Sequence, residues 1–193
     1  MTKDQTPRGD VFIATSLDGF IARPDGTLDW LTGRPAEEET GEHDPDQDFG
    51  YSAFLATVDA LFMGRGTFDV VQGFEGDWPY PKPVYVWTSD PVAIQPKPGA
   101  DVRPVSGELD EALDRLRADG IRQVYVDGGA TIRAWLDAGL VDHMTISTVP
   151  VLIGEGIPLF GGTRPDIALE LERSEVFPGG MVQRTYAVRR TPN

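Results

Sequence analysis

Three short stretches carry residue types that can do chemistry. In Val126-Asp127-Gly128-Gly129-Ala130-Thr131, an acid and two glycines stand where an apolar, β-branched run gives way to a helical pattern. Glycine there admits positive φ or lets a ligand lie against the backbone. The free N–H groups of a following helix, with about half a positive charge from its dipole, hold an anion. Two readings of Gly128-Gly129 stand on these residues alone: a tight strand-to-helix turn, or a cradle for a pyrophosphate. A second such turn, Gly64-Arg65-Gly66-Thr67, adds a guanidinium fork suited to a phosphate and a hydroxyl at a helix start. Arginine in that position is also a common solvated surface residue. Two anion-ready turns in one small chain point towards a dinucleotide with an extra phosphate for Arg65. Neither turn is the six-residue glycine fingerprint of dinucleotide folds or the lysine-bearing phosphate loop.

The third stretch begins at Asp48, which opens the apolar helical pattern "DFGYSAFLATV" (48–58), where Phe49, Phe54, Leu55 and Val58 can share one face. Asp48 is N-cap, catalyst or both. Asp44, Asp46 and Asp48 do not make a calcium loop, because Phe49 stands where glycine is required and Leu55 where a bidentate glutamate is required. With no cysteine and only His43 and His143, disulfides and thiolate metal sites are excluded and a zinc site is poorly supplied. No Gly-x-Ser-x-Gly elbow occurs, and His143 lies within an apolar strand pattern, which makes it structural.

The elements that must position these residues follow from periodicity. Strands are expected at 10–15, 59–64, 83–89, 101–106, about 123–127 and 143–153, with 17–26 as a loop carrying two Asp-Gly turns. Helices are expected after Gly64, over 108–119 and over 130–138. In the second of these Leu109, Leu113 and Leu116 form a stripe, Ser106 is the N-cap and Gly120 the stop. The tail 169–189 alternates on both sides of Pro178-Gly179-Gly180, as a β-hairpin does. The result is an α/β fold: a mostly parallel mixed sheet with helices on both faces and an antiparallel C-terminal hairpin.

A chain of 193 residues, 40% hydrophobic, supports one core, so residues 1–193 are expected to form one domain, with an ordered part at about 10–190. Residues 35–48 carry seven acids and no base and are expected to form an exposed insertion. There is no apolar N-terminal leader and no run near the roughly 20 apolar residues of a membrane span, so a cytoplasmic protein is expected. A net charge of −14 without a basic patch argues against nucleic acid as partner.

Five stretches in order, "SLDGFIA" (16–22), "DALFMGRGTF" (59–68), "VYVWTS" (84–89), "VYVDGGATI" (124–132) and "VPVLIGEGIPLF" (149–160), resemble the dihydrofolate reductases. They are equally similar to the reductase domain of the bifunctional riboflavin-biosynthesis deaminase-reductase. The resemblance implies an NADPH-dependent reductase delivering hydride to a C=N bond of a pteridine-like or pyrimidine-like ring. It also implies a homodimer. Ala14 and Ile21 would border the nicotinamide. Gly64, Arg65 and Thr67 would hold the adenosine side, with Thr88 and Ser89 adding hydroxyls near its phosphate. Gly128, Gly129, Ala130 and Thr131 would receive the pyrophosphate. In dihydrofolate reductases an acid sixteen residues before the glycine of Met-Gly-Arg assists ring protonation, and Asp48 precedes Gly64 by that spacing. The resemblance makes Asp48 and Trp30 the catalytic pair and Phe49, Tyr51 and Ser147 part of the substrate pocket. Asp127 departs from the dihydrofolate reductase pattern, since riboflavin-type reductases carry an acid before Gly-Gly, and is assigned to the substrate. The alternative function is a nucleotide-binding protein that keeps this fold without the chemistry.

Overall fold

The computed structural model describes residues 6–32, 47–161 and 166–189. Apolar runs that do not alternate need cover on both faces, and the central strands obey that rule: Ala60, Leu61, Phe62, Met63, Val84, Tyr85 and Val86 are all completely buried. The strands are β1 (Arg8–Ser16), β2 (Phe20–Ala22), β3 (Ala60–Gly64), β4 (Val84–Trp87), β5 (Val102–Val105), β6 (Gln123–Asp127), β7 (Val141–Val149), β8 (Ile157–Pro158), β9 (Leu169–Val176) and β10 (Val182–Val188). The helices are α1 (Asp29–Thr32), α2 (Tyr51–Thr57), α3 (Arg65–Gln72), α4 (Leu109–Ala118) and α5 (Gly129–Asp137).

Eight strands form one sheet in the order β5-β4-β3-β6-β1-β7-β10-β9. Pairing is parallel from β5 to β7 and antiparallel where β10 joins β7 and β9. On one face, α4 and α5 bring Leu113, Leu116, Ile132 and Trp135 onto Val11, Phe62, Val124 and Val126. On the other face Phe68 of α3 packs with Leu61, Met63, Val86 and Tyr125, and Tyr51 and Phe54 of α2 extend that layer.

Several local expectations are corrected. Helix α4 is capped at Glu108 rather than Ser106, because the Glu111 carboxylate folds back to accept from the Glu108 N–H at 3.1 Å. The 17–26 loop contains β2, which pairs with β8 across the fold. Strand β7 begins two residues earlier than expected and ends at Val149, before Pro150. Helix α2 covers only Tyr51–Thr57, since Phe49 (φ 54°) and Gly50 (φ 84°) are left-handed and turn the chain before the helix begins. Phe49 therefore does not share a helical face with Phe54. The acidic insertion lies mostly outside the described residues.

Candidate active site

Strands β3 and β6 are neighbours, yet the helices that follow them pass to opposite faces of the sheet. Such a divergence opens a crevice at the carboxyl ends of the strands, the place where open α/β sheets bind ligands. Here the two glycine turns meet. A Cβ on Gly128 would lie 2.2 Å from Thr67 Oγ1, and one on Gly64 would lie 3.1 Å from Thr131 Oγ1. Gly128 also has φ 89°, so glycine is required twice over at that residue. A Cβ on Gly129 would meet the Pro158 carbonyl at 2.7 Å and Ile21 Cδ1 at 3.3 Å. Gly64, Thr67, Gly128, Gly129, Thr131 and Ile21 are thus brought together, with Ala130 exposed on the first turn of α5.

Ala14 lies on β1, opposite Ser147 on β7. The Arg65 guanidinium is engaged by Asp69 one turn along α3, at 2.7 Å. Exposed pairs of this kind contribute little, so a phosphate can compete for the fork. Thr88 and Ser89, with Trp87, Gly107 and Glu108, line an open depression of about 400 Å³ beside the β4 and β5 ends. Trp87 Nε1 donates to the Gly107 carbonyl at 2.9 Å and fixes one wall.

The two candidate acids differ. Asp127 is the last residue of β6; its Oδ1 accepts the Gly128 N–H at 2.8 Å, and it makes no ion pair among the described residues. Burial pushes its pKa from 3.8 up to about 6, against a smaller opposing effect of that hydrogen bond. Its charge acts in turn on Tyr51, Tyr80 and Tyr125. Burial is the main cause that pushes the Tyr51 hydroxyl up to about 12 and raises Tyr80 and Tyr125 as well. The Tyr125 hydroxyl donates to the Phe12 carbonyl at 2.8 Å.

Asp48, expected as the catalytic acid, is exposed. It accepts from the Gly50 N–H at 2.9 Å and from the Ser52 N–H at 2.9 Å. Hydrogen bonds from Ser52, then Gly50, hold its carboxyl below the usual range. In this arrangement Asp48 tethers the start of α2, and its ionised form is favoured. Trp30 is 4% exposed, and its Nε1 has no partner among the described residues.

Four residues whose contacts the sequence did not foretell also shape this end of the fold: Gln183, Phe177, Asp18 and Tyr80. Gln183 on β10 is buried and donates from Nε2 both to Ser147 Oγ at 3.0 Å and to the Phe49 carbonyl at 3.1 Å, pinning the left-handed turn ahead of α2. The Phe49 ring meets Phe177 edge-on at 5.1 Å, so the C-terminal hairpin holds this turn from two sides. Asp18 clasps two loops: it accepts from Ser16 Oγ at 2.6 Å and from the Gly154 N–H at 2.8 Å. Tyr80 comes from an irregular segment and packs against Trp78 at 5.5 Å. Two of these carried a signal in the sequence: Gln183 is a polar residue on the alternating strand that pairs with Ser147, and Asp18 is the acid of an Asp-Gly turn in the 16–22 stretch.

Among the described residues no group of three metal-ligating side chains exists, and no helix is long and apolar enough to cross a membrane.

Residues 80–183 match the family described as RibD C-terminal domain. The uncharacterized protein YwjB of Bacillus subtilis (strain 168) is 33% identical over 178 residues, covering 91% of this chain and 95% of that protein. The crystal structure of a putative riboflavin biosynthesis protein from Shewanella sp. PV-4 superposes with a TM-score of 0.81 at 39% identity, over 95% of this chain and 99% of that one. The dihydrofolate reductase of Enterococcus faecalis, solved with NADP(H), shares the fold at a TM-score of 0.62 and 18% identity, over 96% of this chain and 98% of that one. The chain belongs to the RibD C-terminal domain family, and its fold is of the dihydrofolate reductase type.

Proposed function

We propose that this member of the RibD C-terminal domain family is an NADPH-dependent reductase of a C=N bond in a pteridine-like or pyrimidine-like heterocycle. The observation that carries the reading is the meeting of the two glycine turns, Gly64 against Thr131 and Gly128 against Thr67, in the crevice where α3 and α5 diverge. Two helix starts side by side offer free N–H groups and dipole charge to a pyrophosphate, and glycine keeps the backbone open to it. Gly128, Gly129, Ala130 and Thr131 receive that group in this reading, while Gly64, Arg65 and Thr67 take the adenosine end with its extra phosphate. Thr88 and Ser89 line the adjoining depression. Ala14 and Ile21 border the nicotinamide. The E. faecalis reductase of the same fold, solved with NADP(H), supports this choice of cofactor.

The bound cofactor supplies a hydride equivalent to the substrate carbon. A proton must then reach the adjacent nitrogen, and this chain provides a carboxyl for it in Asp127. Burial raises its pKa to about 6, so its neutral form is far more accessible at neutral pH than that of an ordinary carboxyl. In this reading Phe49, Tyr51, Ser147 and Trp30 belong to the ring pocket, and Asp48 fixes the start of α2.

Titration calorimetry with NADPH and NADH tests the cofactor assignment: tight NADPH binding with much weaker NADH binding is expected, and Arg65→Ala should narrow the difference. Binding of neither overturns the reading. Binding of NADPH without its oxidation by any dihydropterin or aminopyrimidine substrate would leave a nucleotide-binding protein that keeps the fold alone.

A further inference from the structure

Among the described residues Phe49 is the one non-glycine residue with positive φ, at 54°, and Gly50 follows it at 84°. That conformation is costly for a bulky side chain and persists only where the surroundings hold it. The turn is held from two directions. From within, the Asp48 carboxylate accepts the Gly50 and Ser52 N–H groups, each at 2.9 Å. From the far end of the chain, Gln183 Nε2 donates to the Phe49 carbonyl at 3.1 Å, and the Phe177 ring meets the Phe49 ring edge-on at 5.1 Å.

The orientation of the Gln183 amide follows from its partners. A carbonyl oxygen only accepts, so the amide nitrogen must face Phe49. The same nitrogen donates to Ser147 Oγ at 3.0 Å, so both of its hydrogens are used, and the Ser147 hydroxyl keeps its own proton to give to another acceptor. Ser147 is the partner of Gln183 on β7 and of Ala14 on β1, which makes one row of three residues across three strands. Gln183 and Ser147 are both buried, and an amide engaged through both hydrogens fixes the distance between that row and the Phe49 turn.

What the turn controls is the placement of α2. Its first residue, Tyr51, sets its ring 5.6 Å from that of Phe12 on β1 and 6.3 Å from that of Tyr125 on β6. Tyr125 and Asp127 stand two apart on β6 and share a face, with Asp127 at the carboxyl end. A displaced Phe49 turn therefore shifts α2 over the face that carries Asp127. The glycine cradle draws on β3, α3, β6 and α5 and takes nothing from β10.

We infer, resting on the reductase reading, that Gln183 is a positioning residue of the ring pocket: it ties the strained Phe49 turn to Ser147, so that the C-terminal hairpin sets the affinity for the heterocycle and leaves that for the cofactor unchanged.

The test compares Gln183→Met with the parent full-length chain, since methionine is similar in length to glutamine and has no N–H to donate. Dihydropterin and diaminouracil are titrated with and without NADPH, NADPH is titrated alone, and amide hydrogen exchange is followed along the chain. At least one ring should bind about tenfold more weakly, with KM rising more than kcat falls and NADPH affinity kept within about twofold. Exchange at Gly50 and Ser52 should quicken about tenfold, while Ile132, whose N–H donates to the Gly128 carbonyl, keeps its rate. Ser147→Ala alone should also weaken the ring, and the double variant should show less than the sum of the two effects. Unchanged ring binding in Gln183→Met overturns the inference, and so does equal weakening of ring and NADPH with faster exchange throughout, which is plain destabilisation. If Gln183→Met does not fold, Ser147→Ala decides, and unchanged ring binding in that variant overturns the inference. A parent chain that binds NADPH and neither ring sinks the inference and spares the cofactor assignment. A parent chain that binds a ring but no NADPH sinks the reductase reading, and the ring and exchange results still judge Gln183.

Discussion

Asp127 and Asp48 are two carboxylates at the margins of one cleft, one closing a central strand and the other preceding a short helix, and their proton affinities move in opposite directions. Asp127 has one backbone N–H and a half-buried place at the end of β6, where desolvation favours its neutral form. Asp48 has hydrogen bonds from Ser52 and Gly50 in an exposed turn, so its charged form is favoured. The same functional group is thus pushed towards its neutral form in one place and held as an ionised helix tether in the other. Spacing in the sequence marked Asp48 as the acid. Under the proposed function that part passes to Asp127, at the end of β6.

The largest effect that can break this contrast is on turnover. Asp127→Asn should lower kcat by about 10²- to 10⁴-fold, the usual contribution of a positioned acid, while NADPH binding measured by calorimetry is largely kept. Retention of full turnover would remove Asp127 from the chemistry.

A second test reads stability. The folded-state pKa of Asp127 lies above its unfolded value, so its favourable contribution is complete below about pH 4 and is lost as pH rises through about 6. At about 1.4 kcal/mol per pH unit, its ionisation costs on the order of 3 kcal/mol above pH 7. In urea titrations at pH 4 and pH 8, Asp127→Asn should therefore gain stability relative to the parent chain at the higher pH. No change in the difference between the two would show that the carboxyl is solvated.

The crevice itself is probed by Gly128→Ala. The positive φ and the Cβ placed 2.2 Å from Thr67 Oγ1 should together cost roughly 1–3 kcal/mol and weaken NADPH binding. Combining it with Thr67→Ala should recover the steric part of the stability and leave the backbone part. Full additivity would mean that the two turns do not touch.

Much of this was legible in the chain because the signals were local. Unbroken apolar runs gave the buried parallel strands, and Gly64, Gly128 and Gly120 marked where strands and helices end. The hairpin at Pro178-Gly179-Gly180 followed from alternation on both sides. What was not legible depended on partners far away in the chain. Strands β2 and β8 have three and two residues and exist only because they meet across the fold. The raised proton affinity of Asp127 comes from desolvation in the folded chain, which no local pattern around residue 127 announces. Phe49 left the helix because a buried Gln183, 134 residues later, holds its carbonyl. At α4 the failure was chemical rather than topological: serine is the favoured cap, but a glutamate three residues into the helix turned back and did the same work.

The smallest expected effect sharpens the comparison from the other side. Asp48→Ala removes the acceptor for the Gly50 and Ser52 N–H groups, so the start of α2 should fray and the Phe49 turn loosen. Because the folded-state pKa of Asp48 is lowered, its contribution is present above the unfolded value of 3.8 and fades as pH falls through the folded one. The variant should be less stable than the parent chain at pH 7 and approach it as pH falls below the unfolded value, the reverse of the trend for Asp127→Asn. Loosening the pocket should raise KM more than it lowers kcat, with kcat staying within about an order of magnitude of the parent's. A fall in kcat as deep as that of Asp127→Asn would return the proton-donor role to Asp48, because a residue that only tethers a helix cannot remove a step that depends on proton transfer.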